Sequence, residues 1–246
     1  KMAKLIKDDD PFIIAEVGQN HQGNINIAKE YICKFAEAGA NAIKFQTRNI
    51  DYLFAKDALS RDYLNSNSFG KTYGEHRFKL ELNLDQIKIL KKECESNNVI
   101  FMSTPFDEPS LEFLSEINVE LIKIASFDIG NTPFLERIAS KKIPSVLSIG
   151  GANFNQIRSS VEVFEKHNLE LAILHCVSEY PCPYDKLGLE NIKNLKNKFP
   201  NHHIGLSDHF NGILSGPLGY LLGARVFEKH VSLNRSWRGS DHCFSL

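Results

Sequence analysis

With 246 residues, 42% of them hydrophobic and 24% charged, the chain can bury a sizeable core and has the balance of a globular enzyme or binding protein. A net charge of −1 provides no global basic field to draw it onto nucleic acid or an acidic membrane. No apolar run reaches membrane-spanning length, and residues 1–10 are too charged for a signal peptide. The five cysteines (Cys33, Cys94, Cys176, Cys182 and Cys243) form no CxxC pair, which points to free thiols in a reducing cytoplasm.

Strand and helix patterns alternate along the whole chain. Residues 12–17 read as a first strand, followed by a polar turn and a helix with apolar positions at Ala28, Ile32, Phe35 and Ala36. Residues 42–45 form the next strand, and Leu84, Ile87, Leu90 and Cys94 mark its helix. Strands follow at 99–102, 121–125, 145–147, 171–174, 203–206 and 226–227. The helices between them centre on Leu111–Ile117, Phe134–Ala139, Phe154–Phe164, Leu189–Leu195 and Ile213–Leu222. Eight such units with near-continuous apolar strands predict an α/β protein, a (β/α)8 TIM barrel. A doubly wound open sheet is the runner-up, but no GxGxxG follows the first strand.

Two irregularities stand out. The connection 47–83 is long and carries Tyr52, Phe54, Phe69, Tyr73, His76 and Arg77, which suggests a lid or substrate wall. After His230 no further helical pattern appears. The expectation is therefore a single barrel domain over residues 1–246 without its last helix, cut from a longer polypeptide.

In such barrels the chemistry sits at the carboxyl ends of the strands. Those ends carry Glu16; Lys44 and Gln46; Ser103 and Thr104; Lys123, Ser126 and Asp128; Ser148; His175, Ser178 and Tyr180; Ser207, Asp208 and His209; and Glu228, Lys229 and His230. Lysines with hydroxyls and backbone N–H groups hold phosphate or carboxylate. Histidines with carboxylates hold a divalent metal such as Mn²⁺, Fe²⁺ or Zn²⁺. Together they suggest a small, strongly anionic substrate handled beside a metal. Blander roles stand beside these. Lys44 and Lys123 could be structural ion-pair partners, and Asp208 could orient a ligand rather than be one. Strand alternation turns Lys229 away from its neighbours and leaves open whether both Glu228 and Lys229 can face the mouth.

The motifs AEVGQNHQG (15–23), IKFQT (43–47), STPF (103–106), KIAS (123–126), HCVSEYP (175–181), GLSDH (205–209), EKH (228–230) and GSDH (239–242) resemble, in order, those of the sialic acid synthase family. The resemblance implies a transferase that condenses phosphoenolpyruvate with an N-acetylmannosamine-type aldehyde and water, giving a nonulosonic acid and phosphate by C–O cleavage. It assigns Lys44, Thr104, Lys123, Ser126, Ser148 and Ser207 to the phosphate and carboxylate of phosphoenolpyruvate, and Ser178 to substrate binding. His209 and His230 would hold a divalent metal, usually Mn²⁺, with Mg²⁺ another possibility. Glu16 would be the acid/base or water-orienting group, Asp128 a catalytic carboxylate where the family commonly has glutamate, and Gln46, Tyr180 and Asp241 sugar contacts. It further implies an antifreeze-like domain beyond the present sequence and a homodimer. The alternatives are a Schiff-base keto-acid aldolase, using a strand-end lysine, and a non-catalytic sugar-acid-binding barrel.

Overall fold

The computed structural model describes Ile6 and residues 10–246; the rest of the charged amino-terminal stretch lies outside the described residues. Eight parallel strands close in sequence order into one barrel. They are β1 (Phe12–Gly18), β2 (Ala42–Thr47), β3 (Ile100–Pro105), β4 (Leu121–Ile124), β5 (Ser145–Ser148), β6 (Leu171–Cys176), β7 (His203–Asp208) and β8 (Val226–His230). Closure is made by β8 pairing with β1, with Glu16 opposite His230. Val231 N donates to Glu16 O at 3.0 Å and Asn20 Nδ2 to Val231 O at 2.8 Å.

Period-two alternation divides the apolar residues into two cores. Phe12, Ile14, Ala42, Met102, Leu121, Val146, Ala172, Leu174 and Val226 fill the barrel interior. Their neighbours, such as Ile43, Phe101, Ile122, Leu147 and Ile173, pack outward against the helices. The interior leaves no room at Gly205, where a Cβ would lie 2.1 Å from Val226 O. Continuing the same phase toward the strand ends turns Glu16, Lys44, Lys123 and Ser148 into the barrel mouth.

Helices α1 (Ile25–Glu37), α2 (Ile50–Leu53), α3 (Lys56–Leu59), α4 (Tyr73–Leu80), α5 (Leu84–Ser96), α6 (Glu108–Glu116), α7 (Thr132–Ser140), α8 (Phe154–Lys166), α9 (Asn191–Lys198) and α10 (Ser215–Leu221) follow the first seven strands. Local chemistry sets their starts. Asn24 caps α1, and reciprocal capping boxes Asn83/Gln86 and Asn153/Gln156 open α5 and α8, each cap contributing about 1 kcal/mol. Among the described residues, no α-helix follows β8, only a 3-10 turn at His242–Phe244. The outer side of β8 and β1 accordingly carries an apolar groove lined by Ile13, Ile213, Leu221 and Phe227. No helix among the described residues is long and apolar enough to cross a membrane.

The 47–83 connection departs from the expected lid. It folds into α2, α3 and α4, the last opened by a Thr72/Glu75 capping box. Its aromatic residues pack on one another, with Tyr63 and Phe54 each 5.4 Å from Tyr73 and Tyr63 4.6 Å from His76 between ring centroids. None of the described residues beyond Gln46 in this connection lines the cavity at the mouth. The rings serve their own small cluster because they bury apolar area locally. Two of the three helices are only four residues long, too short for a periodic pattern to register.

Candidate active site

A cavity of about 330 Å³ opens at the carboxyl ends of the strands. Its floor is a buried ion-pair network built from alternate residues of four strands. Lys44 Nζ lies 2.7 Å from Glu16 Oε2 and 3.6 Å from Glu228 Oε2. Lys123 Nζ lies 3.2 Å from Glu228 Oε1, which also accepts from Ser207 Oγ at 3.0 Å. Gln46 Nε2 donates to Glu16 Oε1 at 2.9 Å, and Lys44 Nζ to Thr104 Oγ1 at 3.3 Å. All four charged side chains are at most 5% exposed.

Two ammonium groups and two carboxylates in so small a volume shift one another. Burial alone would lower Lys44, but Glu16 and Glu228 outweigh it and raise the ammonium above its ordinary range. At Lys123 burial prevails, with Lys44 adding to it against Glu228, and the ammonium is lowered. Burial opposes the charge on Glu228, yet Lys123 and Lys44 hold its carboxyl below the usual range. The network is not saturated. Glu16 Oε2 and Glu228 Oε2 have ion-pair contacts but no hydrogen bond of good geometry, and Ser148 Oγ is buried without a partner. Buried polar atoms in this condition are held ready for a ligand or water.

The wall is formed by two imidazoles from β7 and β8. His209 Nδ1 lies 2.7 Å from Val177 O. A carbonyl oxygen only accepts, so Nδ1 carries the proton and Nε2 keeps its lone pair. Burial first, then His230, lowers His209 to about 4, which keeps the ring neutral. His230 Nδ1 is buried without a hydrogen bond, 3.6 Å from Asp241 Oδ2. The two ring centroids are 5.7 Å apart, and the Tyr180 ring packs 3.9 Å from His209. Among the described residues no group of three or more His, Cys, Asp or Glu is arranged to hold a metal. Two imidazole donors beside open volume fit a divalent ion that takes its remaining ligands from water and substrate, and do not fit a closed structural zinc site.

Of the residues singled out in the sequence, Glu16, Lys44, Gln46, Thr104, Lys123, Ser126, Ser148, Ser178, Tyr180, Ser207, His209 and His230 line this one cavity. Two do not. Asp128 sits in the 3-10 turn Ser126–Asp128 after β4. There its Oδ1 accepts from Asn131 Nδ2 at 3.2 Å, and burial raises its carboxyl to about 6. Asp241 approaches His230 from behind and borders a separate small cavity with Gln19 and His76. His175 points outward and bonds Leu187 O through Nε2 at 2.8 Å. Asp208 also points outward, accepting from Phe210 N, Ser215 Oγ and Lys229 Nζ at 3.0, 2.5 and 2.6 Å. Glu228, a strand-end candidate in the sequence, lines the cavity as well, and so do Cys176, Phe106 and Phe127, which sequence reasoning left out of the site. Glu228 shares the phase of Val226 and His230, the alternation that turns Lys229 away.

The NeuB family model matches residues 31–246. The N-acetylneuraminate-9-phosphate synthase of Drosophila melanogaster is 41% identical over 97% of this chain. The N,N'-diacetyllegionaminic acid synthase of Legionella pneumophila is 36% identical over 96%. The chain spans 64% of the length of the first and 67% of the second. A crystal structure of the N-acetylneuraminic acid synthetase of Leptospira borgpetersenii in complex with citrate superposes with a TM-score of 0.86 at 36% identity, covering 97% of this chain and 79% of that one. With 216 consecutive residues, from 31 to 246, under the family model and its strand ends gathered in one polar cavity, the chain belongs to the NeuB family.

Proposed function

We propose that this chain is the catalytic barrel of a nonulosonic acid synthase, which joins phosphoenolpyruvate to an N-acetylmannosamine-type aldehyde. The reading rests on one observation: two buried lysines and an unpartnered serine hydroxyl share a cavity with the imidazoles of His209 and His230. Carbon 3 of phosphoenolpyruvate bonds to the aldehyde carbon, water oxygen adds at carbon 2, and phosphate leaves with the bridging oxygen. The sum is phosphoenolpyruvate, aldehyde and water in, 2-keto acid and phosphate out.

Lys44 and Lys123, with the hydroxyls of Thr104, Ser126, Ser148, Ser178 and Ser207, bind the phosphate and carboxylate of phosphoenolpyruvate. The same lysines now face Glu16 and Glu228, so the arriving anion shares ammonium groups that the carboxylates already hold in place. Glu16, fixed between Lys44 and Gln46, orients the attacking water and takes its proton. His209 and His230 would hold the divalent ion, with Mn²⁺ the best match to nitrogen donors completed by oxygen and Mg²⁺ second. When bound, that ion supplies Lewis acidity to the aldehyde oxygen and acidifies a water. Tyr180 and Gln46 border the space left for the sugar. The resemblance extends the reading to a cytoplasmic homodimer of the full-length protein, testable by its mass in solution.

The test is phosphate release from phosphoenolpyruvate by the longest native form of the protein. N-acetylmannosamine, its 6-phosphate and a diacetamido hexose are supplied with Mn²⁺, with and without chelator. Release that requires both sugar and metal is expected. Release indifferent to chelator would remove the role given to His209 and His230. The lowered ammonium of Lys123 favours one second reading, a Schiff-base aldolase. Borohydride trapping of pyruvate on Lys123 would support that reading, and absence of the adduct would reject it.

A further inference from the structure

We infer that Arg48 is a positioning residue that acts through Gln46 to hold Glu16 in place; the inference rests on the role given to Glu16 above. Arg48 follows β2 in the phase of Lys44 and Gln46 but does not line the cavity. Its side chain is 7% exposed. Arg48 Nη2 donates to Gln46 Oε1, Gln46 Nε2 donates to Glu16 Oε1 at 2.9 Å, and Glu16 Oε2 lies 2.7 Å from Lys44 Nζ. The result is one line of polar contacts running from behind the site to its principal acid.

Charge decides the direction of this line. A primary amide has one accepting and one donating end, a guanidinium only donates, and a carboxylate only accepts. Gln46 lies between the two, so Arg48 fixes Oε1 toward itself and forces Nε2 toward Glu16. Without Arg48 the amide is free to turn, and its oxygen would then face the Glu16 carboxylate. A carboxylate displaced by about 1 Å is enough to cost on the order of 100-fold in rate.

Arg48 is itself clamped. Glu81 Oε2 lies 3.3 Å from Nη1, and Glu81 Oε1 accepts from the Arg48 backbone N–H at 3.2 Å. The guanidinium lies over the Phe106 ring, 3.9 Å from its centroid. Glu81 immediately follows α4. The long connection after β2 therefore reaches the site from behind, by bringing a carboxylate to Arg48. Gly18 makes the close packing possible: its φ is +56°, and a Cβ there would lie 3.1 Å from Glu16 Oε1 and 3.3 Å from Gln46 Nε2.

The experiment uses the longest native protein and compares wild type with Arg48→Met, Arg48→Lys and Glu81→Gln, each checked for its melting temperature. Arg48→Met is expected to lower kcat by about 10–100-fold, leave KM for phosphoenolpyruvate within about twofold of wild type, and recover on addition of guanidinium ion. Arg48→Lys keeps a donor for Gln46 and is expected to fall between the two; it also serves if Arg48→Met does not fold. Glu81→Gln is expected to lower the melting temperature while retaining more kcat than Arg48→Met. A folded Arg48 variant with wild-type kcat, or a loss confined to KM and deaf to guanidinium, would overturn the inference. A crystal structure of an Arg48 variant reads the same point without turnover: Gln46 and Glu16 should move, and finding both unmoved would overturn it. An inactive wild type would sink the synthase reading instead, and the crystal comparison would still decide the role of Arg48.

Discussion

Glu228 and Lys229 are neighbours in the chain, and each belongs to an ion pair, Glu228 5% and Lys229 13% exposed, yet the two pairs are built to different ends. Lys229 turns outward to Asp208 at 2.6 Å, and Asp208 also accepts from Phe210 N and Ser215 Oγ. That cluster ties β7, β8 and the start of α10 together, and its hydrogen bonds are complete. Glu228 turns inward to Lys123 and Lys44, where Glu228 Oε2, Glu16 Oε2 and Ser148 Oγ lack hydrogen bonds. Burial and pairing are thus common to both sides of one strand. What separates a site from a staple is unfinished bonding beside open volume.

Three variants would break or sharpen that contrast. On the inner side, Lys123→Met is expected to lower kcat by about 10²–10³ with the fold retained, because Glu228 keeps Lys44 and Ser207 as partners. Circular dichroism and phosphate release measured together check it, and a near-normal kcat would show that the inner pair is another staple. On the outer side, Lys229→Met leaves Asp208 without its cation and is expected to cost about 3 kcal/mol of stability. Denaturant melts measure that cost, and turnover per folded molecule should be unchanged; a catalytic defect would erase the contrast.

The smallest effect concerns Asp128, which belongs to neither group. Burial raises its carboxyl to about 6 from an ordinary value near 4 in the unfolded chain. The native state therefore binds the proton more tightly, and this residue's contribution to stability falls as pH rises from about 4 to about 6. Asp128→Asn should then stabilise the protein by up to about 3 kcal/mol at pH 7, with the gain vanishing below about pH 4. A gain independent of pH would mean that Asp128 is not held in this state.

The barrel was legible in the sequence because parallel strands buried on both faces write long apolar runs between amphipathic helices. The mouth was legible for the same reason: the polar residue that ends an apolar strand is conspicuous. Glu228 was half legible: alternation sets it in phase with His230 and against Lys229, but the pairing of Glu16 with His230 is what fixes that phase inward. Asp128 lies off the cavity because the chain leaves β4 through a 3-10 turn, where strand alternation no longer predicts direction. The helices between 47 and 83 lacked periodicity, although the Thr72/Glu75 capping pair was there to be read. Arg48 could not be read at all, since its partners Gln46, Glu81 and Phe106 are brought together only by the fold.

The closing seam between β1 and β8 also sets when the protein can first work. Asn20 bonds Val231 across 211 residues, and Glu16 meets its strand partner His230 across the same seam. At ribosomal speeds of about 5–20 residues per second, the first half of the site is made roughly 10–40 s before the second. No partial barrel holds both, so the pairing of Glu16 with His230 exists only once the last strand has been made.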